Sequence, residues 1–141
     1  MSANKREPVL VIGLGRFGSA VATSLQRMGH EVLGADTSPS LVQKYAGDLT
    51  QIVEADCTDY DCLQKLGAAD FKSAVVAIGS DIEASVLTVL ALSDLGVTSI
   101  WAKAINEKHG RILERTGAHH VVFPEARMGE RVAHLLNERL L

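Results

Sequence analysis

The sequence predicts an α/β fold built on a doubly wound, parallel, six-stranded sheet. Six short runs of apolar, mostly β-branched residues alternate with longer segments whose apolar residues recur at helical spacing. Several runs are almost continuously Val, Ile and Leu, which is typical of strands buried on both faces. A closed α/β barrel needs about 250 residues, whereas this chain has 141. The open sheet is therefore the predicted architecture.

The predicted strands are short and are bounded by turn residues or by helical segments. Parallel neighbours in a sheet must be joined by crossovers, which the helical segments between the strands supply. We therefore expect helices on both faces of one sheet. The six predicted strands are Val9–Ile12, Val32–Ala35, Gln51–Val53, Ala74–Ile78, Ser99–Ala102 and His120–Phe123.

Most predicted helices carry a start or a stop signal. Ser, Asp and Asn at the N-cap accept hydrogen bonds from free backbone N–H groups, proline suits the first helical position, and glycine ends a helix. The predicted helices run from about Arg16 to Met28 before Gly29, from Ser38-Pro39 to a stop at Gly47, over Asp59–Leu66, over Ile82–Leu95 between Asp81 and Gly96, over Glu107–Thr116 between Asn106 and Gly117, and over Glu125–Leu141.

The composition is that of one globular domain over residues 1–141. Hydrophobic residues make up 47%, charged residues 22%, and the formal net charge is −3, which excludes intrinsic disorder. The apolar runs are far shorter than the ~20 residues of a membrane-spanning helix, and without a basic block we expect no nucleic-acid partner. The spacing of Cys57 and Cys62 fits neither a zinc site nor a CxxC redox pair, so we expect reduced thiols in a cytoplasmic protein.

A glycine-rich turn follows the first predicted strand. Its GxGxxG pattern stands between a strand and a helix, which is the context of the Rossmann-like nucleotide-binding fold. The first glycine permits the tight turn, the second lets a phosphate approach the backbone, and the third lets the helix pack closely on the strand. Backbone N–H groups and the positive end of the helix dipole then face the anion. The candidate phosphate loop comprises Gly13, Leu14, Gly15, Arg16, Phe17 and Gly18.

Asp36 ends the second predicted strand and lies where a carboxylate accepts hydrogen bonds from the ribose 2′- and 3′-hydroxyl groups. Thr37 follows it and is a further candidate in the same turn. Because neither Thr37 nor Ser38 is basic, a 2′-phosphate would meet negative charge, so the pattern disfavours NADP. The alternative is that the glycines serve packing alone and that Asp36 caps a helix.

Two further turns leave their roles open. Asp56 and Cys57 follow the third predicted strand, where they either approach an adenine ring or begin the next helix, with Asp56 or Thr58 as its cap. Ile78 and Gly79 follow the fourth predicted strand, where the turn either runs beside the phosphates or is an ordinary connection.

Nucleotide binding by itself does not define an activity. A dehydrogenase needs a substrate domain and a proton-transfer group that faces the nicotinamide. The strand–helix units occupy the whole chain, and none of its 5 histidines has an obvious carboxylate or nucleophile placed by spacing to make it a catalytic base. The motifs of serine hydrolases and P-loop NTPases are also absent. We therefore expect a binding domain and no catalytic residues; the alternative is a small NAD-dependent oxidoreductase.

Five segments together resemble the RCK domain, also called the potassium-transport nucleotide-binding domain. The resemblance covers nearly the whole chain and is far more specific than GxGxxG alone. It matches the N-terminal lobe of cytosolic regulatory subunits of potassium-uptake systems, so we expect this chain to be that lobe without the usual C-terminal one. The segments are Val-Ile-Gly-Leu-Gly-Arg-Phe-Gly at 11–18, Met-Gly-His-Glu-Val at 28–32, Val-Ala-Ile-Gly at 76–79, Ile-Trp-Ala-Lys-Ala at 100–104 and Phe-Pro-Glu at 123–125.

The resemblance implies a ligand and roles for particular residues. Members of the family bind ATP or ADP, and some bind NAD(H), in the glycine-rich cleft. Arg16 matches an arginine that reaches the terminal phosphate, and Lys103 matches a lysine beside the phosphates. Glu125 matches a glutamate linked to cation and γ-phosphate sensing, which implies Mg²⁺ or another divalent cation there.

The resemblance also implies partners. The protein would control potassium flux through an integral membrane subunit and would lie at the inner face of the membrane through that subunit. The amphipathic segment Glu125–Leu141 would be a crossover helix that packs on a second copy, giving a homodimer and, in the full-length protein, a higher-order ring such as an octamer. The alternative is that this helix packs on its own sheet.

Overall fold

A computed structural model describes residues 7–140 as a parallel sheet with flanking helices. Residues 1–6 and Leu141, the end of the last predicted helix, lie outside the described residues. The strands are β1 (Val9–Ile12), β2 (Val32–Asp36), β3 (Gln51–Glu54), β4 (Ser73–Val76), β5 (Ser99–Lys103) and β6 (His120–Val122). The helices are α1 (Arg16–Arg27), α2 (Pro39–Lys44), α3 (Tyr60–Lys65), α4 (Ile82–Asp94), α5 (Glu107–Thr116) and α6 (Pro124–Leu140), with a 3-10 turn over Ala68–Asp70.

The predicted doubly wound architecture is confirmed. The strand order is β3-β2-β1-β4-β5-β6, and every pair of neighbours is parallel. Alternate strand residues point to opposite faces, so Leu10 of β1 joins a core with α3, α4 and α5, while Val11 joins a core with α1. Helices therefore cover both faces, and the chain changes face between β1 and β4.

The expectation of strands buried on both faces holds only for the centre of the sheet. All four residues of β1 are buried, whereas the edge strand β3 has both end residues exposed and the other two half-buried. The edge strand β6 is also partly exposed. Apolar sequence alone did not separate the two kinds of strand, because edge strands too have one apolar face.

Several element ends differ from the prediction. Helix α2 begins as expected at the Ser38 cap, whose hydroxyl accepts a hydrogen bond from the Leu41 N–H, but it ends at Lys44. Gly47 therefore does not close it; it lies in the turn that follows. Strand β4 ends two residues early, which leaves Ile78 in the loop. In the described part of the chain no helix is long and apolar enough to cross a membrane.

A buried histidine joins α4, α5 and the loop after β5. The His109 Nδ1 atom accepts a hydrogen bond from the Ile105 N–H at 3.1 Å, so Nε2 carries the proton and donates to Ser85 Oγ at 2.6 Å. The Ser85 hydroxyl in turn donates to the Ile82 carbonyl. Burial lowers the pKa of the His109 imidazole below its usual 6.5. His109 is therefore a neutral structural residue near neutral pH.

Candidate functional site

A cleft opens at the carboxyl edge of the sheet, where the chain changes face. The chain leaves β1 towards α1 on one face and leaves β4 towards α4 on the other, so the two connections diverge and a crevice remains between them. The cleft has a volume of about 740 Å³, which is in the range of small-molecule binding sites.

The structure brings most of the candidate residues together in this cleft. Leu14 and Gly18 do not line it, because the Leu14 side chain is buried in the core beneath α1 and Gly18 packs against Gly13. Glu125 also lies outside the lining and reaches it through Lys103. The candidates that line the cleft are Gly13, Gly15, Arg16, Phe17, Asp36, Thr37, Asp56, Cys57, Ile78, Gly79 and Lys103.

The three glycines of the loop have different surroundings and different structural roles. Gly13 has a φ of +96°, and a Cβ there would lie 2.6 Å from the Ala77 carbonyl oxygen of the neighbouring connection. A Cβ on Gly18 would overlap the Gly13 carbonyl oxygen. Gly15, by contrast, has open space around its Cβ position, with nothing within 4 Å. Gly13 and Gly18 are thus required by packing, while Gly15 keeps the approach to the backbone open.

The two helices that begin at the cleft present different N-termini. Helix α4 is capped from within, because the Asp81 carboxylate accepts a hydrogen bond from the Ala84 N–H at 3.0 Å. Helix α1 begins after Gly15, which has no side chain to cap it, and its first turn contains no acidic residue. The first N–H groups of a helix attract anions when no side chain occupies them. The N-terminus of α1 is therefore the end of the cleft that is suited to an anion.

Asp36 holds the loop as well as lining the cleft. Its Oδ2 atom accepts a hydrogen bond from the Leu14 N–H at 2.7 Å, and its Oδ1 atom accepts one from the Ser38 N–H at 2.8 Å. The carboxylate is thus fixed between the glycine loop and the start of α2, with lone pairs left for a ligand hydroxyl. Ser38, and not Asp36, caps α2.

Asp56 and Cys57 form the wall of the cleft after β3. Hydrogen bonds from the Thr58 hydroxyl and N–H lower the pKa of the Asp56 carboxyl group. Of the two alternatives for this turn, the one in which Asp56 or Thr58 caps α3 is wrong, because Asp59 caps it by accepting from the Asp61 N–H. Asp59 stands one residue before the helix, where an N-cap must lie.

Burial raises the pKa of the Cys57 thiol to about 12, with smaller contributions from the nearby Cys62 and the carboxylates of Asp56 and Asp36. Both cysteines are free. Because the thiolate is the nucleophilic form, Cys57 at neutral pH is an inert neutral thiol in the cleft wall.

Lys103 and Glu125 form an ion pair at the edge of the cleft. Their Nζ and Oε1 atoms are 3.2 Å apart, with the lysine side chain 14% and the glutamate side chain 67% exposed. Lys103 and Arg16 are the cations among the described lining residues, against the carboxylates of Asp36, Asp56, Asp81 and Glu83. Among the described residues, no cluster of three or more His, Cys, Asp or Glu side chains could hold a metal ion.

The sequence analysis did not identify one wall of the cleft. The first two turns of α4 line it, and Leu41 of α2 adds an apolar surface near Asp36. The available signal was the Asp81 cap, which places the start of α4 at the same edge of the sheet as the glycine loop. The missed residues on this side are Leu41, Asp81, Glu83, Ala84, Leu87 and Thr88, and Ile12, Ala55, Thr58 and Ala77 line the cleft as well.

Fold and cleft together define a Rossmann-like domain with a glycine loop and a ribose-type carboxylate at its switch point. Residues 9–124 match the TrkA-N domain family, and the chain belongs to that family. The resemblance to RCK domains drawn from the sequence is thereby confirmed. The chain is 42% identical over 138 residues to "Ktr system potassium uptake protein A" of Bacillus subtilis (strain 168), covering 98% of this chain and 62% of that relative. It therefore spans less than two thirds of the length of that relative.

Two solved structures share the fold. The GsuK RCK domain superimposes with a TM-score of 0.72 at 20% identity, covering 84% of this chain and 26% of that one. The Kef CTD of Shewanella denitrificans, solved in an AMP-bound form, superimposes with a TM-score of 0.69 at 26% identity, covering 92% of this chain and 81% of that one.

The different surroundings of Gly15 and Gly18 predict opposite effects of the same substitution. Gly15→Ala places a methyl group in open space at a φ of −69°, so we expect the free energy of unfolding to change by less than about 1 kcal/mol. Gly18→Ala forces the methyl group into the Gly13 carbonyl, and we expect a loss of about 3 kcal/mol or more. Urea denaturation of the two variants measures the difference; equal losses would contradict these roles.

Proposed function

We propose that the chain is the nucleotide-binding domain of a regulator of potassium transport. The observation that carries the proposal is the uncapped N-terminus of α1, open at Gly15, beside a carboxylate fixed in position by the same loop. This arrangement can hold a phosphate and a ribose at once. The proposed link to potassium transport rests on the similarity to the Bacillus subtilis relative, whose name assigns it to potassium uptake.

The proposed ligand is an adenine nucleotide with a free 2′-hydroxyl group: ATP, ADP or NAD(H). Asp36 would accept hydrogen bonds from the ribose, and Leu41 offers an apolar surface for the base. Arg16 and Lys103 would meet the phosphates. The AMP-bound Kef structure supports this class of ligand. A 2′-phosphate would face the carboxylates of Asp36 and Asp56, so NADP is disfavoured.

Glu125 is the proposed residue for a divalent cation such as Mg²⁺. The chain by itself offers no complete ligand set among the described residues. A Mg²⁺ ion at Glu125 would therefore also need phosphate oxygens of the nucleotide as ligands, and Mg²⁺ commonly binds such oxygens together with one or two carboxylates. Glu125 stands next to the cleft through its contact with Lys103, and this position suits such a shared site.

We favour a binding domain over the alternative oxidoreductase. The described lining contains no histidine, and its one cysteine is held as a neutral thiol. Three of the histidines bond to backbone atoms instead: His30 contacts the Glu7 carbonyl, while His109 and His119 accept from backbone N–H groups. A hydride-transfer enzyme would need a positioned acid or base facing the nicotinamide.

Helix α6 is the proposed dimer contact. In the structure it does not pack on its own sheet, since none of its described residues is buried. An amphipathic helix with a largely exposed apolar stripe is costly for a monomer in water and typical of an interface. A second copy would cover the stripe, and rings such as octamers would add a further contact between such dimers in the full-length protein. The stripe consists of Met128, Val132, Leu135, Leu136 and Leu140.

The proposed output is control of a potassium-transporting membrane subunit from the cytoplasmic face. A ligand shifts such a system only if it binds two arrangements of the subunits with unequal affinity. The γ-phosphate of ATP is a suitable discriminator, because it adds charge that Arg16 meets from its own subunit or from a neighbour. ATP and ADP would then favour different arrangements, and the membrane partner would respond to the difference.

The carboxylate of Asp36 predicts which cofactors bind. We expect calorimetry on the purified chain to show binding of ADP and NAD, with NADP clearly weaker. Asp36→Ala should weaken ADP and NAD binding by about 1–3 kcal/mol, because a charged hydrogen-bond acceptor is lost, and should narrow the gap between NAD and NADP. Equal affinity of the unaltered chain for NAD and NADP would rule out this role of Asp36.

The regulatory proposal predicts a nucleotide-dependent potassium flux. The full-length protein, reconstituted with its transporter in vesicles, should give different fluxes with ATP and with ADP. Arg16→Ala should remove that difference, because Arg16 supplies the charge that meets the terminal phosphate. A persisting difference would show that Arg16 is not the sensor. A flux that is indifferent to the protein under every nucleotide would reject the regulatory function.

The apolar stripe of α6 predicts the oligomeric state. Leu135→Asp combined with Leu136→Asp should give a folded monomer by light scattering, because two buried carboxylates cannot be desolvated at an interface. Asn137→Asp is the matched control on the same helix and should leave the dimer intact. If the double variant keeps the size of the unaltered protein, α6 is not the dimer contact.

A further inference from the structure

The ion pair between Lys103 and Glu125 joins the cleft to helix α6. Lys103 is the last residue of β5, lines the cleft and has a side chain that is 14% exposed. Glu125 lies in the first turn of α6, and its largely exposed side chain reaches the lysine from outside the cleft. The carboxylate therefore neutralises a cation that belongs to the cleft.

A ligand phosphate in the cleft would interact with the same ammonium group of Lys103. A phosphate at the N-terminus of α1 would enter a cleft whose described cations are Arg16 and Lys103. Among the described residues, Glu125 is the ion-pair partner of Lys103. A carboxylate and a phosphate next to one lysine repel each other, and this repulsion is little screened over a few ångströms.

We propose that Glu125 is a built-in competitor of the ligand: its carboxylate occupies Lys103 in the ligand-free chain, and a bound phosphate displaces it. The inference rests on the proposed function, because it needs a phosphate-bearing ligand in the cleft. The exposed glutamate returns to water at little cost, so the competition lowers the affinity without preventing binding. Displacement also frees the first turn of α6 from its contact with β5.

A divalent cation reverses the sign of the effect. A cation between the carboxylate and the phosphate turns their repulsion into attraction. With Mg²⁺ present, Glu125 would therefore strengthen nucleotide binding, whereas without it Glu125 weakens binding. Removing divalent cations with EDTA isolates the competition.

The test is a calorimetric titration of ADP in EDTA at low ionic strength. Glu125→Gln keeps the size of the side chain and removes its charge, and we expect it to bind ADP about two- to fivefold tighter. The gain should shrink at high salt, because the lost contact is electrostatic and partly exposed. Glu130→Gln, on the same helix and without an ion pair among the described residues, should bind as the unaltered chain does.

A double-mutant cycle shows whether the effect passes through the lysine. In a Lys103→Met background, Glu125→Gln should give a clearly smaller gain in ADP affinity, because the shared partner is gone and only the direct repulsion between carboxylate and phosphate remains. Unchanged or weaker ADP binding by the single Glu125→Gln variant in EDTA would overturn the inference, and so would a gain of the same size without Lys103. If the unaltered chain binds no ADP at all, the proposed function fails, and the inference fails with it.

Discussion

The close contact between the start of α1 and the two central strands sets the geometry on which the cleft depends. Gly18 lets α1 lie directly against the Gly13 carbonyl, and Gly13 in turn lies against the Ala77 carbonyl of the connection after β4. A side chain on Gly18 would push the helix away from the sheet, and one on Gly13 would push away the connection after β4. Because α1 lies close to the sheet, its first N–H groups face the cleft next to Gly15.

The Asp36 carboxylate completes this arrangement, because it ties three segments to one point. It ends β2, accepts from the Leu14 N–H in the glycine loop, and accepts from the Ser38 N–H before α2. The groups that would meet a ribose and a phosphate are thus fixed before a ligand arrives, which reduces the entropy lost on binding. Helix α6 contrasts with this rigid centre, since none of its described residues is buried and its first turn meets the cleft through Lys103.

The sequence by itself determined the order and type of the elements and the centre of the site. Strand and helix periods, together with the caps at Ser38, Asp81 and Asn106, are local signals, and the structure confirms all three caps. The sequence also predicted the glycine loop and the position of Asp36, because a tight turn and a carboxylate at the end of a strand depend on nearby residues only. In a parallel sheet, such strand ends necessarily meet at one edge.

Only the tertiary structure decided which of these residues pack in the core and which line the cleft. Leu14 belongs to the core and contributes its N–H to Asp36, the α4 turn forms an unforeseen wall, and Lys103 pairs with Glu125. Each of these contacts joins residues distant in sequence, or depends on which strands lie at the edge. Periodicity specifies which face of a helix or strand is apolar. Which element packs against that face, and which group pairs with each charged side chain, follows from the packed fold.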